Sequence, residues 1–278
     1  MIEYFHQSSE ECSQLVTKRY STSFSSAIRL LHEDLRKPIY NIYGFVRLAD
    51  EIVDTFHDHD KEALLAAFKA DTYRAIKEGI CLNPILHSFQ RTVNQYQIDL
   101  KLIDAFFHSM EMDLSKQQYD TAGYQEYIYG SAEVVGLMCL HVFCEGDKGL
   151  YVHLESSARS LGAAFQKVNF LRDIKADYMG LSRVYFPGCD FTNFTVADKK
   201  AIEADILQDF RAAYIGISQL PFKCRFGVYV AYKYYLSLFK KIRGLEPASV
   251  LEARIRIPNF QKFLIVLRAG VKNQLRLI

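Results

Sequence analysis

Two segments of this sequence are apolar around most of a helical circumference and nevertheless carry acids. The first runs Ile39-Tyr-Asn-Ile-Tyr-Gly-Phe-Val-Arg-Leu-Ala-Asp-Glu-Ile-Val-Asp54, the second Leu161-Gly-Ala-Ala-Phe-Gln-Lys-Val-Asn-Phe-Leu-Arg-Asp-Ile-Lys-Ala-Asp177. A helix that is apolar on every side belongs in the middle of a bundle, so a chain holding two of them must surround both with further helices. The rest of the sequence offers these. Strand-type alternation is scarce, breakers are few, with 6 Pro and 14 Gly in 278 residues, and helical spacing dominates. Helices are expected at Ser9–Lys18, Ser21–Leu31, Lys37–His57, Lys61–Glu78, Pro84–Tyr96, Asp99–Lys116, Ala122–Phe143, Tyr151–Met179, Val196–Leu220 and Lys223–Lys241, with a weaker one after Asn259. The joints at Leu31–Lys37, Gly79–Pro84, Cys144–Leu150 and Gly180–Thr195 are short and not of low complexity. Residues 1–278 therefore read as one all-α domain.

Composition narrows the function classes. Half of the residues are apolar, and 34 basic side chains meet 32 acidic ones. Neither disorder nor polyelectrolyte binding fits, and nucleic acid is not an expected partner. The six cysteines contain no C-x-x-C pair and Met1–Glu11 lacks a basic-then-apolar leader, so free thiols in a reducing cytoplasm are expected. The longest nearly unbroken apolar run, Val134–Phe143, is shorter than the roughly 18 residues a bilayer-crossing helix needs. No dinucleotide fingerprint and no P-loop occurs.

The acids in the two apolar segments are spaced for joint work. Asp50 and Asp54 lie four apart, on one helix face, with Arg47 one turn earlier. Asn169, Asp173 and Asp177 repeat the spacing, with Gln166 a further turn back and Arg172 alongside. Like charges at this spacing repel, and burial adds a desolvation cost; a bound cation reverses the sign. Oxygen donors without His or Cys suit Mg²⁺, which typically takes one or two carboxylates and completes its shell with water and phosphate oxygens. The ordinary reading of a D-x-x-x-D is a solvated helix face. Two such motifs, each inside an apolar helix and each beside an Arg and an amide, favour a diphosphate held through metal.

These residues also carry a resemblance. Tyr20-Ser-Thr-Ser-Phe-Ser25 is similar to the N-terminal Ser-x-Ser-Phe element of the squalene/phytoene synthase family, the head-to-head prenyl synthases. Tyr43–Asp54 resembles its first aspartate-rich motif, Tyr127–Gly136 its tyrosine-rich central motif, and Leu161–Asp177 its second aspartate-rich motif. Arg183-Val-Tyr-Phe-Pro187 follows where the family has Arg-x-Tyr-x-Pro. The likeness runs in order from about Cys12 to Arg243 and leans towards the bacterial phytoene synthase branch.

The resemblance implies an isoprenoid synthase helical bundle around a central apolar cavity. It implies condensation of two geranylgeranyl diphosphates to phytoene through a cyclopropyl diphosphate, in carotenoid biosynthesis, with Mg²⁺ or Mn²⁺ and without NADPH. By motif position, Asp50, Asp54, Asn169, Asp173 and Asp177 are the implied metal contacts, and Arg47, Gln166, Arg172 and Arg183 the implied diphosphate holders. Ser21, Ser23 and Phe24 match the headgroup element; Tyr43, Tyr129 and Tyr235 match tyrosines near the reacting carbons. Because such a product is insoluble in water, a peripheral position at a membrane is also expected. No polybasic amphipathic anchor stands out, although Arg254, Arg256, Lys262, Arg268, Lys272 and Arg276 make the C-terminal region basic.

Some positions depart from the family pattern. Glu51, about 100° around the helix from Asp50, is not expected to be a primary ligand. Glu133 brings an acid into an apolar helix, either facing the cavity or paired with a base. Thr22 stands where some relatives carry Lys, and Ser182 replaces a Gly. His57-Asp-His-Asp60 reads as a solvated turn, and Cys139 and Cys144 as core filler. The rival readings are a dehydrosqualene or squalene synthase using farnesyl diphosphate, and a catalytically silent assembly-factor relative. Intact acidic motifs argue against the silent relative.

Overall fold

The computed structural model describes residues 1–116, 119–181, 185–189, 194–250 and 255–274, and for 176–181 the backbone alone. Thirteen α-helices follow one another among these residues, with no strand. They are α1 Ile2–Tyr20, α2 Thr22–Ile28, α3 Glu33–Asp54, α4 Lys61–Glu78, α5 Pro84–Tyr96, α6 Leu100–Ser115, α7 Thr121–Ile128, α8 Val134–Cys144, α9 Lys148–Leu181, α10 Val196–Gln219, α11 Phe222–Arg243, α12 Pro247–Val250 and α13 Asn259–Gln274. A π turn, Tyr129–Glu133, joins α7 to α8.

Where local chemistry marks the ends, sequence and structure agree. Asp60 caps α4 by accepting from Ala63 N at 3.0 Å, and Gly79 closes it in the left-handed region at φ 73°. Asn83 caps α5 ahead of Pro84. The weaker expectation after Asn259 is α13.

The differences have identifiable causes. α1 begins at Ile2 rather than Ser9 because its inner face is built from small hydroxyls: Ser9, Ser13 and Thr17 are fully buried. Ser13 Oγ meets Ser88 Oγ at 2.7 Å, and a Cβ at Gly44 would stand 2.8 Å from Ser13 Oγ, so α1 crosses α3 closely. Hydrophobic periodicity does not register such a face. α3 starts four residues early, at Glu33, and tolerates Pro38 near its N-terminus.

Both apolar helices are central, as expected. α3 packs on α1, α5 and α8, while α9 packs on α8, α10 and α11. Phe45 of α3 anchors an aromatic core, stacked on Phe89 with centroids 3.8 Å apart and flanked by Phe106 and Phe107. The stretch Thr121–Cys144 is, at 24 residues, long and apolar enough by length and composition to cross a membrane, which the run Val134–Phe143 alone did not suggest. Its apolar side chains are engaged inside the bundle: Tyr127, Val134, Leu137, Met138 and Val142 are all buried.

Candidate active site

The first acidic stripe rides on α3, where Arg47, Asp50 and Asp54 line a cavity of about 490 Å³. Asp50 keeps 31% of its side-chain surface open, on the cavity side, and Arg47 Nη1 stands 3.8 Å from its Oδ2. Protein otherwise surrounds it. That enclosure pushes the Asp50 carboxyl up to about 8; Asp54 adds to the push and the Arg47 guanidinium opposes it. Arg47 itself pairs with Glu51 one turn on and lies 4.4 Å from the Tyr20 ring centre. Its Nε is buried without a hydrogen-bond partner. Glu51 is thus a partner of Arg47 and does not line the cavity.

The second stripe brings Gln166, Asn169, Arg172 and Asp173 of α9 to the same cavity. Arg172 Nε donates to both Asp173 oxygens, at 3.0 and 3.1 Å. A hydrogen-bonded chain runs along this wall from helix to helix. Tyr235 Oη of α11 donates to Asn169 Oδ1 at 3.3 Å, Asn169 Nδ2 to Gln166 Oε1 at 3.4 Å, and Gln166 Nε2 to Ser131 Oγ at 3.3 Å. The chain sets both amides, so their remaining lone pairs and donors have fixed directions.

Aromatic rings close around these polar groups. Phe24 touches Tyr43, Phe165 and Tyr235 at centroid distances of 5.6, 6.0 and 5.8 Å, and Phe165 stacks on Tyr235 at 3.9 Å. Burial, first among its causes, holds the Tyr43 and Tyr235 hydroxyls above the usual tyrosine range, so both stay neutral. Ser21, the N-cap of α2, accepts from Phe24 N at 3.2 Å and also bonds Tyr43. The cap therefore positions both rings.

The central motif requires a correction. Tyr129, expected beside the reacting carbons, is not among the cavity-lining residues; its ring lies 5.2 Å beneath the Arg159 guanidinium. The tyrosine of this segment that reaches the cavity is Tyr127, whose hydroxyl donates to Asp113 Oδ2 at 2.7 Å. Two positions along a helix differ by about 200°, so only one of the pair can face inward. Tyr127 also stacks with Phe170 and Tyr185, at 6.0 and 5.4 Å.

Of the residues singled out from sequence, Ser21, Phe24, Tyr43, Arg47, Asp50, Asp54, Gln166, Asn169, Arg172, Asp173 and Tyr235 share the cavity. Ser23 and Tyr129 do not line it. The Asp177 side chain and the whole of Arg183 lie outside the described residues. Among the described residues no three His, Cys, Asp or Glu side chains are grouped closely enough to hold a metal ion.

Sequence reasoning missed Tyr20, Asp113, Tyr127 and Tyr185, all of which line the cavity. Asp113 had a signal: it falls on the α6 face of Phe106 and Met110, seven and three residues earlier, where an acid is out of place. The remaining open points are settled by contacts. Glu133 pairs with Arg159 at 2.6 Å, Lys262 Nζ donates to Thr22 Oγ1 at 2.7 Å, and the exposed His57–Asp60 turn caps α4. All six cysteines are free, and burial pushes the Cys139 thiol up to about 12.

Asp50 and Asp54 of α3, Asp173 of α9, an arginine beside each group and several aromatic rings thus share one cavity. The chain belongs to the squalene/phytoene synthase family, whose pattern it matches over residues 17–261. That is a family of head-to-head prenyl synthases. Among its relatives, a phytoene synthase of Arthrospira platensis is 27% identical, over 92% of this chain and 90% of that protein. A 4,4'-diapophytoene synthase of Staphylococcus haemolyticus is also 27% identical, over 71% of this chain and 68% of that protein. The fold matches the crystal structure of a dehydrosqualene synthase with TM-score 0.84 at 18% identity, covering 97% of this chain and 98% of that one.

Proposed function

We propose that the protein is a phytoene synthase, joining two geranylgeranyl diphosphates head to head through a cyclopropylcarbinyl diphosphate and releasing diphosphate. The observation that carries this reading is one cavity reaching from the acidic stripes to the far end of α9. Leu154 and Asp173 both line it, and they lie about 28 Å apart along the axis at 1.5 Å per residue. An extended twenty-carbon prenyl tail, at ordinary bond lengths, needs roughly 20 Å.

The carboxylate and amide oxygens of the two stripes suit a hard dication, since enclosed Asp50 beside Asp54 calls for positive charge beyond that of Arg47. Asp50, Asp54, Asn169, Asp173 and, by its place in the sequence, Asp177 are the residues to hold Mg²⁺ or Mn²⁺. When bound, the metal would supply positive charge to the departing diphosphate. Arg47 and Arg172, both on the cavity wall, are the residues to hold the phosphate oxygens, with Arg183 a further candidate from sequence. Phe24, Tyr43, Phe165 and Tyr235 present ring faces to an allylic cation, each worth about 1–2 kcal/mol when desolvated. Tyr127 stays protonated and donates a hydrogen bond to Asp113, so it adds polarity without adding charge. No NADPH is required for this product. The six free cysteines support a cytoplasmic site, and a water-insoluble product supports a peripheral position at a membrane.

A second reading has its own support. The 4,4'-diapophytoene synthase relative and the bulky Phe24, Phe165 and Phe170 lining the cavity favour a fifteen-carbon substrate. Purified protein incubated with equal geranylgeranyl and farnesyl diphosphate, Mg²⁺, and NADPH present or absent, decides between them. Forty-carbon hydrocarbon independent of NADPH is expected; predominant thirty-carbon product would move the assignment to the second reading.

A further inference from the structure

α13 presents apolar side chains on the side where a helix packed against a water-soluble bundle carries polar ones. Its inner face is ordinary: Ile265 and Val266 pack on the core and Ala269 is buried. Its outer face carries Phe260, Phe263, Leu267 and Val271, which are 69%, 61%, 51% and 56% exposed. At about 100° per residue these four share a sector of roughly 80°, opposite the inner face. Single exposed apolar residues are commonplace, but a continuous stripe marks an interaction surface.

The charge around the stripe names the partner. From Ile255 to Gln274 the chain has Arg256, Lys262, Arg268 and Lys272 and no Asp or Glu. Arg268 and Lys272 are exposed along one flank of the stripe. Neighbouring α11 adds Lys240 and Lys241 in its last turn, and Lys241 Nζ donates to Arg256 O at 2.9 Å. Lys233 is held below the usual lysine range, chiefly by burial and then by Lys272 and Lys240, which marks how closely these cations gather. A second copy of the chain is a poor fit. Four side chains of this size and exposure offer on the order of 400 Å², about half of what each partner contributes to a stable interface, and a two-fold pairing would set cations against cations.

α13 also sits beside the way into the cavity. Lys262 ties it to Thr22 at 2.7 Å, next to Ser21 and near Tyr20, a cavity-lining residue that is 51% exposed. We propose that the outer face of α13 beds into the surface of an anionic lipid bilayer, Phe260, Phe263, Leu267 and Val271 among the acyl chains and the flanking Arg268 and Lys272 at the headgroups. The Tyr20–Ser21 end of the cavity is then held against the membrane. The proposal rests on and deepens the peripheral membrane position given above by assigning the face that makes it, and it does not depend on which prenyl diphosphate is used.

The test is co-sedimentation of the purified full-length protein with vesicles of phosphatidylcholine alone and of phosphatidylcholine with phosphatidylglycerol. The wild type is expected to bind the phosphatidylglycerol vesicles at least tenfold more tightly than the neutral ones. Phe263→Ser/Leu267→Ser, with an unchanged helical spectrum, should bind them at least tenfold more weakly, and Arg268→Gln/Lys272→Gln should lose the preference for anionic lipid. Wild-type protein that ignores both vesicles, or a serine variant that binds as the wild type does, overturns the proposal. So does a wild-type dimer in sedimentation equilibrium that the serine variant converts to monomer, because a second copy would then cover the stripe.

Discussion

The Tyr127 hydroxyl donates to the Asp113 carboxylate at 2.7 Å inside the cavity, and Asp113 is close enough to Asp50 to help raise its carboxyl. The pair links the central motif to the first acidic stripe. Replacing Tyr127 by Phe keeps the ring and leaves a buried carboxylate short of one donor, a loss of about 1–3 kcal/mol. Tyr127→Phe should lower turnover at least tenfold and lower the melting temperature, whereas Tyr129→Phe, which keeps its ring under Arg159, should leave both nearly unchanged. Steady-state kinetics and thermal melts of the two variants check this.

Turnover should require both stripes. Asp50→Asn and Asp173→Asn each remove an anionic oxygen ligand from the cavity wall while leaving side-chain volume the same. Each is expected to reduce turnover by orders of magnitude without loss of helical circular dichroism, and excess EDTA should do the same to the wild type. Near-normal rates in either variant would remove the metal–diphosphate assignment.

The metal-free protein should grow less stable as pH rises. The Asp50 carboxyl sits at about 8 in the folded chain, against about 3.9 for an unfolded aspartate. Between those values the folded state holds a proton that the unfolded state has released, so stability falls through that window. Cavity solvent screens the effect, which is expected to be on the order of 1–3 kcal/mol. Thermal melts in EDTA from pH 5 to pH 8.5 should show the decline, and Asp50→Asn should flatten it.

Gly162 should resist any side chain. A Cβ there would lie 2.5 Å from Ala132 O and 2.9 Å from Ala132 C, both backbone atoms, so α9 would have to move off the π turn. Gly162→Ala is expected to cost about 1–3 kcal/mol and, by displacing α9, to reshape the cavity that Gly162 and Ala132 line. Denaturant melts measure the first effect, and a shift of product chain length in the substrate competition reports the second.

What the sequence determined by itself was whatever local chemistry encodes. Helical spacing placed Arg47, Asp50 and Asp54 on one face and Gln166, Asn169 and Asp173 on another, and caps such as Asp60 and Asn83 marked where helices begin. Their apolar surroundings put both helices at the centre of the bundle. Tertiary structure decided the rest. The choice of Tyr127 over Tyr129 depends on the phase of the helix entering the Tyr129–Glu133 π turn, and the place of Asp113 depends on the packing of α6 against that turn. The burial of α1 depends on a hydroxyl of its own, Ser13, meeting Ser88 seventy-five residues away. In each case the deciding feature is how one helix packs against another, and no pattern within one helix can carry that information.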